Sequence, residues 1–493
     1  LAIYHLTATI ISRARGQSMA AAVAYRSGSA LRDERYGLTH HASRGREAVH
    51  SEIMAPPGSP AWVQDRETLW NRVEAAERRK DAQLARAIKI SLPVELSAAE
   101  SVALMRDYIA REFVSRGMVA DFSIRRTHPD NPQAHILLTL REAVASGFGP
   151  KARHWNRKSN LLDWRSAWAE CVNQHLARAG HVMRIDHRTL EAQQSELKPG
   201  RNVGVGAARR SGRALPDYLE SRVAEQQRIA KENGDLILKD PTVALRALSG
   251  QRPTFTHPEL VQFLKTRTAD PAQFDAVLAA VMASSELVVR VAGATDPIRF
   301  SSRDMLEAEK SLMRRVAAMA ARRGHPPAAV LPPLSGDLGE ALEYLVGGGD
   351  IKAFAAPSGS GRGALLAAAR EVWELQGLSV VGAALSRSAA QSLQASSGIK
   401  SRSLASHEQE WREQEWLEGR GPTAPTHVMV VDGAEMIGIK QLERLLAVSD
   451  RARGKVVLVG DAQQLRAMGS TAPLRSILDR IGWPPPPAPI GAV

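Results

Sequence analysis

Apolar and polar positions change period repeatedly along this chain, and each change marks a new element. The opening run AIYHLTATII interleaves β-branched and polar residues and predicts a strand. In GQSMAAAVAYRSG, Gly16 and Ser18 are helix-start signals, the alanine run continues the helix and Gly28 ends it. Tyr25 then falls in the last turn of a small-residue helix beside the first strand. DRETLWNRVEAAERRKDAQLARAIKISLP reads as a charged amphipathic helix running into a strand that Pro93 stops. SAAESVALMRDYIAREFVSRG predicts a helix with Gly117 as its cap. MVADFSIRRTHPDNPQAHILLTLRE predicts a strand, a short turn and a second strand, and LLDWRSAWAECVNQHLARAG a helix ending at Gly180.

The texture then shifts. LKPGRNVGVGAARRSGRALP is rich in glycine and arginine and predicts a linker over 196–215, closing a first domain at 1–195. Residues 216–330 read as a mainly helical domain with short strands, followed by a second linker, HPPAAVLPPLSG. Residues 331–480 alternate strand, loop and helix, and continuous apolar runs such as VMVV and VVLVG are the mark of buried parallel strands. Residues 481–493 form a Pro-rich tail that cannot pack.

Composition narrows the classes. The 493 residues are 44% hydrophobic and 24% charged, as in globular proteins. A net charge of +13 points to an anionic partner, nucleic acid before membrane, because no basic amphipathic helix with bulky apolar anchors stands out. No segment approaches the roughly 18 uninterrupted apolar residues of a membrane span. Cys171 is the only cysteine, which excludes an intrachain disulfide and a cysteine-based zinc cage. With no basic-then-apolar leader at the start, the expected location is the cytoplasm.

Two stretches carry candidate chemistry. THPDNPQAH sets His128 before a turn and His135 at the head of a strand, with Gln133 two residues before His135 on the same strand face. Histidines on adjacent strands can hold a divalent cation that polarises a phosphate, and a tyrosine can attack it to give a covalent phosphotyrosine. The plain alternative is two ordinary histidines beside a turn and a tyrosine that only packs. APSGSGRG, residues 356–363, sits between a predicted strand and helix, where a phosphate loop belongs.

A resemblance gives both stretches a context. AIYHLTATIISRARGQSMAAAVAYRSG, LRDERYG, VHSEIMAP, LWNRVEAAERRKDAQLARAIKISLP, AHILLTLRE and LLDWRSAWAECVNQHLARAGH occur in order over residues 2 to 195. Together they resemble conjugative relaxases of the MobA/MobL (TraA-like) group, a branch of the HUH endonucleases. The resemblance implies an α+β relaxase domain, a central antiparallel sheet flanked by helices. It implies nicking of one plasmid strand at the transfer origin by a tyrosine and a metal held by three histidines. By position Tyr25 is the nucleophile and His128 and His135 are ligands. The third place departs: the family pattern is His-Ala-His, and this chain has Gln133-Ala134-His135. A glutamine amide is tolerable only to a hard ion, so the expected cofactor is Mg²⁺ or Mn²⁺, bound weakly. ARAIKI also puts Ala87 and Lys89 where relatives carry acidic residues. Glu74, Glu77 and Asp81 are available for support, though a solvated helix face accounts for each.

Residues 250–480 resemble the RecD-like helicase portion of TraA-type relaxases, through TFTHPELVQFL, FDAVLAAVMASSELV, VMVVDGAEM and VLVGDAQQLRAMG. This implies one α/β RecA-like (P-loop) lobe, truncated and with a degenerate phosphate loop. Gly359, Gly361, Arg362, Asp432 and Gln464 are its nucleotide-site positions, Gln464 being the γ-phosphate sensor. Four positions depart: Ala356 opens the loop, Arg362 and Gly363 replace Lys and Ser/Thr, and Gly433 replaces the catalytic-base glutamate. LSGDL also lacks, near Leu338, the adenine-contacting glutamine. With one lobe read in the sequence, the expectation is no ATP use and no translocation.

Two functions follow. One is a relaxase that binds single-stranded plasmid DNA at the transfer origin, with accessory relaxosome and coupling proteins as further partners, and nicks it through Tyr25. The other is a catalytically dead DNA-binding remnant, favoured by the losses at both sites.

Overall fold

The computed structural model describes residues 4–41, 48–126, 131–181, 183–188, 196–199, 217–251, 253–290, 298–322, 325, 332, 336–357, 361–418, 427–468 and 473–481. His128, Gly359, the Pro-rich tail beyond residue 481 and most of the 196–215 linker lie outside them. The chain forms two compact units. One comprises Leu1–His187, Gly382–Glu410 and Ala462–Met468, the other Arg188–Val381, Trp411–Asp461 and Gly469–Val493.

In the first unit the elements run β1 (Leu6–Ser12), α1 (Met19–Ser27), β2 (Leu31–Asp33), β3 (Leu38–His40), β4 (His50–Met54), α2 (Arg66–Ala75), β5 (Gln83–Ser91), α3 (Ala98–Glu112), β6 (Ala120–Arg125), β7 (Gln133–Thr139), β8 (Arg141–Val144), β9 (Gly147–Lys151) and α4 (Lys158–Arg178). Five strands form one antiparallel sheet in the order β1-β5-β7-β6-β4. Period-two alternation gives the sheet two faces. Leu6, Ile88, Ile90, Phe122, Ile124, Ala134 and Ile136 face a large core completed by Leu104, Tyr108 and Ile109 of α3 and Trp164, Trp168 and Val172 of α4. The Tyr108 hydroxyl donates to the Trp164 carbonyl at 3.0 Å, so this buried phenol is satisfied.

Local signals set the helix ends. Ser18 caps α1 by accepting from the Ala21 N–H, and Gly28, at φ +80°, closes its C-terminus. Ser97 and Glu100 form a reciprocal capping box at the start of α3. α3 itself ends at Glu112, short of the expected Gly117. Buried Phe113 leaves helical geometry, and a 3-10 turn at Val114–Arg116 carries the chain to Gly117.

The expected solvated helix face fails for Glu74, which is buried because Arg13 is buried with it. Arg13 donates to the Glu74 carboxylate at 2.6 Å and to the carbonyls of Glu77 at 2.7 Å and Arg79 at 2.9 Å. Glu77 pairs with Arg141 and Lys151, whereas Asp81 is exposed and meets only Arg79.

The second unit opens with α5 (Asp217–Lys239), α6 (Thr242–Gln251), β10 (Phe255–Thr256), α7 (His257–Lys265), α8 (Pro271–Met282), β11 (Leu287–Arg290), β12 (Arg299–Ser302) and α9 (Arg303–Ala321). The three short strands make an antiparallel sheet, β10-β12-β11, among these helices. After α10 (Asp337–Val346) the chain continues through β13 (Ile351–Ala356), α11 (Arg362–Leu375), β14 (Ser379–Ala384), β15 (Ser401–Ser403), β16 (His427–Asp432) and β17 (Lys455–Asp461). β17 pairs in parallel with β13 on one side and β16 on the other, as their continuous apolar runs predict. No helix among the described residues is long and apolar enough to cross a membrane.

Candidate active site

The sheet face opposite the α3/α4 core changes character along its strands. At one end Ile11, Ala85, Ala87 and Leu137 lie under Met19, Ala20, Val23 and Ala24 of α1, whose small residues let the helix sit close. Further along, the face turns polar. His135 on β7 stands opposite Lys89 on β5 and Ser123 on β6, and Gln133 stands opposite Ser91 and Arg125.

The last turn of α1 is tied to this polar patch. The Ser123 hydroxyl donates to the Arg26 carbonyl at 2.8 Å, and Arg125 Nε donates to the same carbonyl at 3.1 Å. Arg125 Nη2 donates to the Tyr25 carbonyl, and its guanidinium carbon lies 5.1 Å from the centroid of the Tyr25 ring. Arg125 thus caps the negative end of the helix with a cation. Tyr25 remains 45% exposed while its backbone is fixed. Burial pushes the half-buried His135 down to about 3, with Arg26, Lys89 and Arg125 adding to the effect. Its imidazole is therefore neutral at physiological pH.

Whether a divalent ion fits here depends on what faces it. The described donors on this face are two imidazoles, His135 and His5, the latter at the head of β1 beside Ser91, and one neutral amide, Gln133. Three cations surround them, and the carboxylate of β6 on this face, Asp121, is buried in a two-bond pair with Arg66, both at 2.9 Å. The arginines and Lys89 repel a dication, and among the described residues no free carboxylate on this face compensates, so the described set does not fit one. Among the described residues, the group of three close enough to share an ion lies elsewhere, at Asp107, Cys171 and His175 between α3 and α4. There Asp107 Oδ2 already accepts from Arg111 at 2.9 Å, His175 at 3.2 Å and the Cys171 thiol at 3.6 Å. Burial pushes Asp107 up, yet the His175 hydrogen bond and the Arg111 charge hold it at about 2; burial drives the Cys171 thiol well above its usual range.

In the second unit the phosphate-loop region lies between β13 and α11, with Gly361 at φ +79° starting the helix. Arg362, in the lysine position, pairs with Asp432 at 3.3 Å. The charge that would meet a phosphate is thereby set against the carboxylate that would serve magnesium. Gly433 donates its N–H to Asp432 at 3.0 Å and brings no carboxylate. Glu435 does not replace it: it is buried, is pushed up to about 8 by burial and accepts from the Asp461 N–H at 3.2 Å. Gln464 is buried on the helix Ala462–Met468 of the first unit.

Gln133 and His135 share one face of β7, and Tyr25, in the last turn of α1, meets that face through Arg125. Arg125, Arg26 and Ser123 were not singled out in the sequence. The available signal was the polar alternation of Ser123 and Arg125 against buried Phe122 and Ile124 in one strand.

Residues 17–213 match the MobA/MobL family and residues 334–484 an AAA domain. Conjugal transfer protein TraA of Rhizobium radiobacter is 33% identical over 98% of this chain and 48% of its own length. Mobilization protein MobL of Acidithiobacillus ferridurans is 37% identical over 48% of this chain and 72% of its own. A solved structure described as "Molecular Basis of Vancomycin Resistance Transfer in Staphylococcus aureus" is 33% identical, covers 38% of this chain and all of its own, and has a TM-score of 0.36. The chain spans about half the length of the TraA relatives it matches. It belongs to the MobA/MobL family of conjugal transfer and mobilization proteins.

Proposed function

We propose that the first unit binds single-stranded plasmid DNA at the transfer origin and nicks it by transesterification at Tyr25. The observation that carries this reading is the exposed Tyr25 ring, whose backbone carbonyl and ring face both meet Arg125, beside a basic sheet face that also presents His135. In the reaction the phenol proton leaves to solvent and Tyr25 Oη bonds to the scissile phosphorus. The P–O3′ bond breaks, the 3′ oxygen takes up a proton, and the 5′ phosphate stays on the tyrosine. Reversal rejoins the strand without nucleotide hydrolysis. The net charge of +13 supports DNA as the partner. The RecA-like region, with Arg362 paired to Asp432 and Gly433 beside it, is read as unable to hydrolyse ATP.

The test is incubation of the purified chain with supercoiled plasmid carrying its cognate transfer origin, followed by denaturing separation of protein–DNA adducts. An adduct that disappears in Tyr25→Phe supports the reading; its absence from the unmodified chain refutes it. Gln133 in the third ligand place favours a second reading, a DNA-binding remnant. That reading predicts salt-sensitive binding with no adduct.

A further inference from the structure

We infer that the Tyr25 face receives the scissile phosphate on a built-in ammonium, that of Lys89, instead of on a divalent ion. The inference rests on the proposed transesterification and changes what neutralises the phosphate in it. Lys89 lies directly opposite His135 across the β5–β7 ladder, which puts their Cβ atoms about 5 Å apart on one face. It is exposed, and among the described residues no carboxylate pairs with it. Its flexible four-carbon stem puts the ammonium within electrostatic reach of His135 and His5.

The other cations have different tasks. Arg125 is committed to the carbonyls of Tyr25 and Arg26 and to the tyrosine ring, so it positions the nucleophile. Arg26 donates to the Ala22 carbonyl at 2.7 Å and stays within the helix turn. With Lys89 they make the patch attractive to an anion. A lysine ammonium binds phosphate as a point charge with three donors. Fixed positive charge aimed where negative charge grows in the transition state supplies the stabilisation an ion would otherwise give. The same three charges oppose entry of a dication, and Gln133 offers it only a neutral oxygen. Loss of the imidazole at 133 and gain of the ammonium at 89 therefore act in one direction.

The probes are Mn²⁺ alone, followed by electron paramagnetic resonance, and a single-stranded oligonucleotide spanning the nick site, followed by fluorescence anisotropy with and without EDTA. The unmodified chain is expected to take up no Mn²⁺ and to bind the oligonucleotide equally well in EDTA. Lys89→Gln should weaken binding about tenfold and make the slope of log affinity against log salt shallower by about 0.7. Lys89→Arg should restore the slope. Adding Gln133→His to Lys89→Glu should create one Mn²⁺ site. Stoichiometric Mn²⁺ on the unmodified chain, EDTA-sensitive binding, or a Lys89→Gln variant with unchanged affinity and salt slope overturns the inference. Failure to form a Tyr25 adduct under any condition refutes the transesterification instead, and the Mn²⁺ and oligonucleotide measurements still decide the role of Lys89.

Discussion

Replacing Arg125 by methionine separates positioning of Tyr25 from its chemistry. Arg125 is 5% exposed, and methionine fills most of the space of its stem, so the change removes hydrogen bonds without opening a large cavity. Two charge-assisted bonds to helix carbonyls are lost, each of about 1.5–3 kcal/mol. The stacking on a half-exposed ring adds about 0.5–1 kcal/mol. Two effects offset this loss: the Ser123 hydroxyl still serves the Arg26 carbonyl, and a buried cation no longer has to be desolvated. A net cost of about 2–3 kcal/mol remains, which lowers the melting temperature of a unit of this size by roughly 5–10 °C. Because the chain has two compact units, the melt should be followed together with hydrogen exchange at the amides of α1. A misplacement of Tyr25 by about 1 Å should slow adduct formation about a hundredfold. Arg125→Lys keeps the charge but not the two-pronged grip, so it should fall between the methionine variant and the unmodified chain. A methionine variant that melts within about 1 °C of the unmodified chain and forms adduct at the same rate refutes the positioning role.

Other perturbations address the surroundings. Arg13→Met leaves the buried Glu74 carboxylate with only the more exposed Arg35, at 3.7 Å, and should destabilise the first unit by about 3 kcal/mol, the low end for a broken buried pair, read by thermal melting. Asp107 is held at about 2 in the folded chain against an ordinary value of 3.8. The folded state therefore binds this proton more weakly than the unfolded one. Its stabilisation is complete above about pH 4 and is lost as pH falls toward about 2, a dependence that Asp107→Asn should flatten in an acid titration. A fluorescent ATP analogue should show no saturable binding. Asp432→Ala should not create any, since freeing Arg362 leaves Gly363 without a hydroxyl for magnesium.

Much of the site's local framework was legible because its determinants are local. Ser18 and Gly28 delimit α1 by cap chemistry, so Tyr25 could be placed in the last helical turn before any tertiary contact was known. The Gln133–His135 spacing likewise fixed their shared face through strand alternation. What escaped depends on pairing between distant segments. Lys89 reads in sequence as an oddity of ARAIKI, and only the β5–β7 register sets it against His135. Arg125 acquires its role from a helix about a hundred residues earlier, and Glu74 owes its burial to Arg13, 61 residues away. A helical period could not distinguish that buried carboxylate from a solvated one. In the phosphate loop the substitutions at Arg362 and Gly433 were visible, but their consequence, Arg362 turned onto Asp432, required β13 and β16 to flank β17 in one parallel sheet.

Mass spectrometry of the chain after incubation with its transfer-origin DNA, in EDTA and in Mg²⁺, is the most direct test of Tyr25 as the nucleophile. A 5′-phosphotyrosine peptide containing Tyr25 is expected in both conditions and should vanish in Tyr25→Phe. No adduct in either condition, or one that survives Tyr25→Phe, would contradict it.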